Sequence, residues 1–112
     1  MERIDFLVSG SGPYPYQVSF VRADGVLVIT CTCEAGINGM HCKHRTRIIS
    51  GQDEDVVGVV VERIAEAAAW AAGTPITEAL AECVELEAQA EEVKARRKKA
   101  KKRLAGAMLG RI

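Results

Sequence analysis

The stretch Val26-Leu27-Val28-Ile29-Thr30-Cys31-Thr32-Cys33, followed after eight intervening residues by Cys42-Lys43-His44, decides how this chain folds. Its β-branched and apolar run favours a strand, and residues i and i+2 of a strand share a face, so Cys31 and Cys33 project to the same side. The connection Glu34-Ala35-Gly36-Ile37-Asn38-Gly39-Met40 contains two glycines and an asparagine, residues that tolerate the positive φ of a tight reversal. The chain can therefore return and bring Cys42 and His44 to the same point. An i, i+2 pair diverges on a regular helix, which places Cys42 at the start of a helix and His44 in its first turn, with the helix running through Arg45 to about Ile49. Three thiolates and one neutral imidazole fill the closed tetrahedral shell that Zn²⁺ takes in a structural role. The expected metal ligands are Cys31, Cys33, Cys42 and His44, and the expected cofactor is Zn²⁺.

His41 neighbours Cys42 and is the one competitor for the fourth position, although its register sets it beside Cys42 on a turning backbone. Chance clustering of three cysteines explains the pattern less well. So do disulfides, because C-x-C thiols bridge each other poorly and Cys83 alone remains outside the cluster. No basic, apolar leader opens the sequence, so a reducing, cytoplasmic setting is expected. A Cys3His shell around Zn²⁺ carries a formal charge near minus one, and Lys43, Arg45 and Arg47 are placed to offset it or to face a partner.

Upstream, Ile4–Val8 reads as a first strand, and Tyr16–Arg22 alternates apolar Val18 and Phe20 with polar Gln17 and Ser19. Asp24-Gly25 is a two-residue hairpin signal leading into the cysteine-bearing strand. With C-x-C, a gap and C-x-H on a hairpin followed by a helix, the pattern resembles the SWIM-type zinc finger over residues 16–50. The resemblance makes Cys31, Cys33, Cys42 and His44 the ligands. It implies a non-enzymatic module, of a kind found in proteins of DNA transactions, recombination and transposition and in protein-interaction modules.

A chain of 112 residues with two Phe, two Tyr and one Trp supports one small domain plus an extension, and a core that a metal would help considerably. No apolar stretch approaches the roughly twenty residues of a membrane span. The formal net charge is zero, with 15 basic and 15 acidic residues, yet the charges are segregated. Acids fill the middle of the chain, and Lys94, Arg96, Arg97, Lys98, Lys99, Lys101, Lys102 and Arg103 then crowd into ten residues.

The fold class expected is α+β: a small three-stranded antiparallel zinc module (1–50), a connecting helix (53–72) and a long charged, coiled-coil-like helix (75–109). Asp53 is the candidate cap of the connecting helix, with Val57, Val60, Val61, Ile64, Ala68 and Ala71 at helical spacing; a short strand at 56–61 is the alternative. Thr74 as N-cap, with Pro75 at the first helical position, opens the long helix. A seven-residue register starting at Ile76 lines up Ile76, Ala79, Cys83, Leu86, Ala90, Val93, Arg97, Ala100, Leu104 and Ala107, interrupted only by Arg97. Ile76, Cys83, Leu86, Val93 and Leu104 are the expected helix-pairing residues, Cys83 as a small buried hydrophobe, and a homodimer is the expected assembly.

The basic segment reads as a solvated face, as a phosphate-contacting helix, or as a membrane-surface helix, the last lacking an apolar face to accompany its cations. Tyr14 and Tyr16 are poor stacking platforms. A full protein shell leaves no open metal position, and neither a hydrolytic H-E-x-x-H nor a phosphate-binding glycine loop is present, so no enzyme and no small-molecule substrate are expected. The function expected is a zinc-binding accessory protein associated with nucleic acid through 94–103. The rival is a protein-interaction adaptor that dimerises or binds a partner protein through its long helix.

Overall fold

The computed structural model describes residues 1–58 and 61–111. The chain is α+β: a three-stranded antiparallel sheet followed by helices, the last of them long. It divides into two compact units, Met1–Thr77 and the remainder from Glu78.

In the first unit, β1 (Glu2–Val8), β2 (Tyr16–Ala23) and β3 (Val26–Cys31) pair in sequence order. Asp24 (φ 52°) and Gly25 (φ 75°) both occupy the left-handed region, the pair of conformations that matches a two-residue turn to strand twist. Alternation then sorts the side chains. Ile4, Phe6 and Val8 of β1 face Phe20 and Val18 of β2 on one side of the sheet, and the Phe6 and Phe20 rings meet edge to face at 5.9 Å. Ile48, Ile64 and Ala67 from the helices close this core.

β3 ends at Cys31, two residues earlier than the cysteine spacing suggests. Cys33 instead caps a single helical turn, α1 (Glu34–Ile37): its sulfur accepts the Gly36 N–H and its carbonyl accepts the Ile37 N–H. The reversal that reads as a glycine loop is thus partly helical. α2 (Lys43–Ile49) follows, with Cys42 in extended conformation at its N-cap, as the i, i+2 argument requires.

The connecting helix does not begin at Asp53. Val56 forms a bridge with Val8, while Ser9 N–H bonds to Asp55 O and Val57 N–H to Leu7 O, each at 2.8 Å. β1 is an edge strand with unpaired backbone groups, and extended valines satisfy them better than a helical turn would. α3 (Val61–Ala71) buries Ile64, Ala67 and Ala71; Val57 and Val61 are exposed, Ala68 is half-buried, and Val60 lies outside the described residues. Trp70 of α3 is half-buried, with the Arg22 guanidinium 4.4 Å above its ring.

Thr74 does not act by capping the next helix: its hydroxyl donates to the Ala71 carbonyl at the end of α3, at 2.6 Å. α4 runs from Pro75 to Met108, 34 residues or about 50 Å, and buries none of them. Its composition explains its persistence, because Ala, Glu, Lys, Arg and Leu are strong helix formers, and acids precede bases in the sense that complements the helix dipole.

Candidate metal centre

Three separate elements deliver the four expected ligands. Cys31 ends β3, Cys33 caps α1, and Cys42 and His44 sit at the N-cap and second residue of α2. All four are buried, and their donor atoms lie within 4.8 Å of one another. A tetrahedral ion with metal–donor bonds of about 2.0–2.3 Å needs donor–donor separations of roughly 3.5–3.8 Å. Cys31 Sγ and His44 Nδ1 stand 3.7 Å apart, so this edge is already of the right length. The arrangement fits one metal ion held by protein ligands alone.

The surroundings fix the ligands. Gly36 passes so close to β3 that a Cβ there would lie 2.3 Å from the Cys31 carbonyl oxygen and 2.9 Å from Cys31 Cβ. Only glycine lets the α1 turn, and with it Cys33, approach Cys31. On the opposite side the Tyr16 ring tilts against His44 with centroids 5.1 Å apart, and it reaches that place by lying across Gly10, where a Cβ would fall within 2.0 Å of the ring. Arg45 binds the remaining thiol: its Nε donates to Cys42 Sγ at 3.2 Å, while Nη1 donates to Ile29 O at 3.2 Å and Nη2 to Met40 O.

Electrostatics divide the ligands. Burial pushes the Cys31 thiol up to about 12, so without a metal it keeps its proton. Burial acts upward on Cys42 as well, but hydrogen bonds from the Arg45 backbone and guanidinium outweigh it and leave this thiol below its ordinary value. His44 is held below the usual imidazole range, first by burial and then by the charges of Lys43 and Arg47. Its ring is neutral near pH 7, the form that ligates. Of the three nearby cations, Arg45 supports the cysteine cluster, Arg47 pairs with Asp55 (3.0 Å) and Glu54 (3.6 Å), and Lys43 is exposed.

His41, the competitor for the fourth position, is exposed and stands outside the converging set. With Asn38 and Lys43 it edges an open groove onto which Cys33, Cys42 and His44 face, a path by which an ion can enter. Tyr16 is half-buried against His44. Sequence reasoning did not anticipate Tyr16 or Gly10; it named Arg45 with Lys43 and Arg47 as a cation able to offset the site's charge, but not its direct bond to Cys42 Sγ.

On α4, Lys94, Arg96, Arg97, Lys98, Lys99, Lys101, Lys102 and Arg103 are all exposed. Leu86, Val93 and Leu104 are also exposed, and Ile76 is half-buried. Cys83, expected in a buried seam, is exposed in the single chain, because α4 contributes no buried residue. No helix among the described residues is long and apolar enough to cross a membrane. Comparison with known protein families, curated proteins and solved structures finds no match. Fold and site together define an α+β protein with a buried Cys3His cluster able to hold a metal ion.

Proposed function

We propose that this chain is a small, non-enzymatic, zinc-binding accessory protein of the SWIM type, acting in the cytoplasm and associating with nucleic acid through α4. The observation that carries the zinc reading is the convergence of three buried thiols and one neutral imidazole from three elements. Such a soft, tetrahedral donor set suits Zn²⁺. When bound, the ion supplies a redox-silent cross-link between the end of the sheet and the start of α2. The residues around it do the rest: Gly36 admits Cys33, Tyr16 backs His44, and Arg45 offsets the surplus negative charge at Cys42.

The nucleic-acid reading is supported by the eight cations of 94–103, distributed around an exposed helix. Cations so arranged neutralise phosphates without reading bases, and the affinity they confer falls steeply with salt. The test has two stages. Metal analysis is expected to give one zinc per chain, lost in Cys31→Ser and Cys42→Ser. Duplex DNA binding is then measured at low and moderate salt. Absence of binding at low salt, or binding unchanged when the 94–103 cations are replaced by glutamine, removes the nucleic-acid role.

A second reading has its own observation. Leu86, Val93 and Leu104 share one stripe of α4 and are 53 %, 60 % and 55 % exposed, a face suited to another helix. On this reading the chain is an adaptor that pairs through α4.

A further inference from the structure

We propose that the partner of α4 is a second copy of this chain, packed antiparallel in one defined register. The proposal rests on the helix-pairing reading and names its partner. The stripe that starts at Ile76 recurs every three and four residues to Ala107. Reversing a second copy about the point midway between Glu91 and Glu92 brings each stripe position of one helix opposite one of the other. Ala79 then meets Leu104, and Cys83 meets Ala100. Small residues face large ones, which permits close approach. The least favourable layer sets Leu86 against Arg97, whose long stem can cover the leucine while its head reaches water.

Charge selects this orientation. In the antiparallel register the residues flanking the stripe bring Glu82 beside Arg103 and Glu87 beside Lys94 of the second copy, and symmetry repeats both pairs. In a parallel, in-register pair the same flanks bring Glu82 beside Glu87 and Arg96 beside Lys101. Like charges would then meet at both ends. The same two glutamates, Glu82 and Glu87, thus meet cations in one arrangement and each other in the other. Pairing engages Lys94, Arg97 and Arg103, while Lys98, Lys99 and Lys102 point away from the stripe and stay free for phosphate.

Cys83 makes the orientation measurable. Two Cys83 thiols face each other in a parallel pair but stand about 25 Å apart in the antiparallel one, at 1.5 Å per residue. The zinc-loaded full chain is first weighed by sedimentation, where twice the 12.1 kDa chain mass is expected. Ala100→Cys is then oxidised mildly with zinc kept in place. A disulfide-linked dimer is expected for Ala100→Cys, and none for the wild type or for Cys83→Ser/Ala100→Cys. A monomeric mass at every concentration overturns self-pairing, and a dimer in which Ala100→Cys fails to link overturns the proposed register. A wild-type Cys83–Cys83 link overturns the antiparallel register while the helix-pairing reading stands. A dimer whose mass survives Leu86→Lys/Leu104→Lys shows that α4 is not the pairing element, and the proposal and the underlying reading then fall together.

Discussion

Replacing Gly36 by alanine sets two forces against each other. In a helical turn alanine is favoured over glycine by about 1 kcal/mol, so a purely local view expects Gly36→Ala to stabilise. The structure reverses the sign. The added Cβ would lie 2.3 Å from the Cys31 carbonyl oxygen, roughly 1 Å inside ordinary contact, and 2.9 Å from Cys31 Cβ. Neither neighbour yields cheaply, because Cys31 is held in β3 opposite Val18 and belongs to the ligand set. Overpacking against backbone belongs near the top of its usual range, about 3 kcal/mol, which leaves a net loss of about 2 kcal/mol. For a unit of this size that corresponds to a fall in Tm of roughly 8–16 °C. Relief of the clash must move α1 away from β3 and take Cys33 with it, so zinc affinity falls too. Thermal melts of the zinc-loaded proteins and competition with a chromophoric chelator measure both effects. Gly106→Ala is the control: nothing lies within 4 Å of its added Cβ, and it is expected to stabilise α4 by up to about 1 kcal/mol. If Gly36→Ala melts at or above the wild type and keeps its zinc, the close approach is not what the glycine is for.

Chelation is expected to disorder Met1–Thr77, since zinc binding contributes roughly 10–16 kcal/mol in comparable small modules; Trp70 emission should shift to the red, and an unchanged spectrum in excess chelator contradicts a structural metal. Arg45→Leu removes the cation from Cys42 Sγ and is expected to weaken zinc binding about 10–100-fold; equal affinity in chelator competition would show the clamp to be incidental. Acidification is expected to release the metal, because thiolates and imidazole must take up protons to let it go. The sign follows from His44, whose lowered value keeps the ring neutral down to below the ordinary 6.5, so retention should be flat near neutrality and fail on the acid side; loss of zinc on raising the pH from 7 to 8 would contradict it. Tyr16→Ala unbacks the His44 ring and is expected to increase zinc exchange while leaving the sheet intact, as followed by isotope exchange and amide protection.

The parts of this fold that were legible in the sequence are those whose physics is local. Asp24-Gly25 announces its turn because few other pairs accept two left-handed residues, and β1 and β3 alternate as half-buried strands must, whereas Ser19 of β2, read as facing water, is buried between Val18 and Phe20. The convergence of Cys31, Cys33, Cys42 and His44 was legible for a similar reason, since four donors within fourteen residues come together with little help from distant parts of the chain. What escaped was non-local. The segment at Val56 was open to a helix capped by Asp53 or a strand at 56–61, and only the need of β1 for a neighbour decides for extended backbone at Val56 and Val57. Gly36 could be read as a flexible turn residue, but its use is to let two backbones touch, which only the folded chain reveals. Arg45 looked like one of three interchangeable cations until its guanidinium was placed against a sulfur and two carbonyls.

The guanidinium that supports Cys42 also occupies the Ile29 carbonyl on β3, the strand at the margin of the sheet away from β1. β1, at the other margin, is already covered by Asp55–Val57. Loss of the ion would therefore loosen the guard on Val26-Leu27-Val28-Ile29, an apolar, uncharged run suited to stacking between chains. On the zinc reading proposed above, a stripped protein should precipitate as fibrous material instead of lingering as a refoldable monomer.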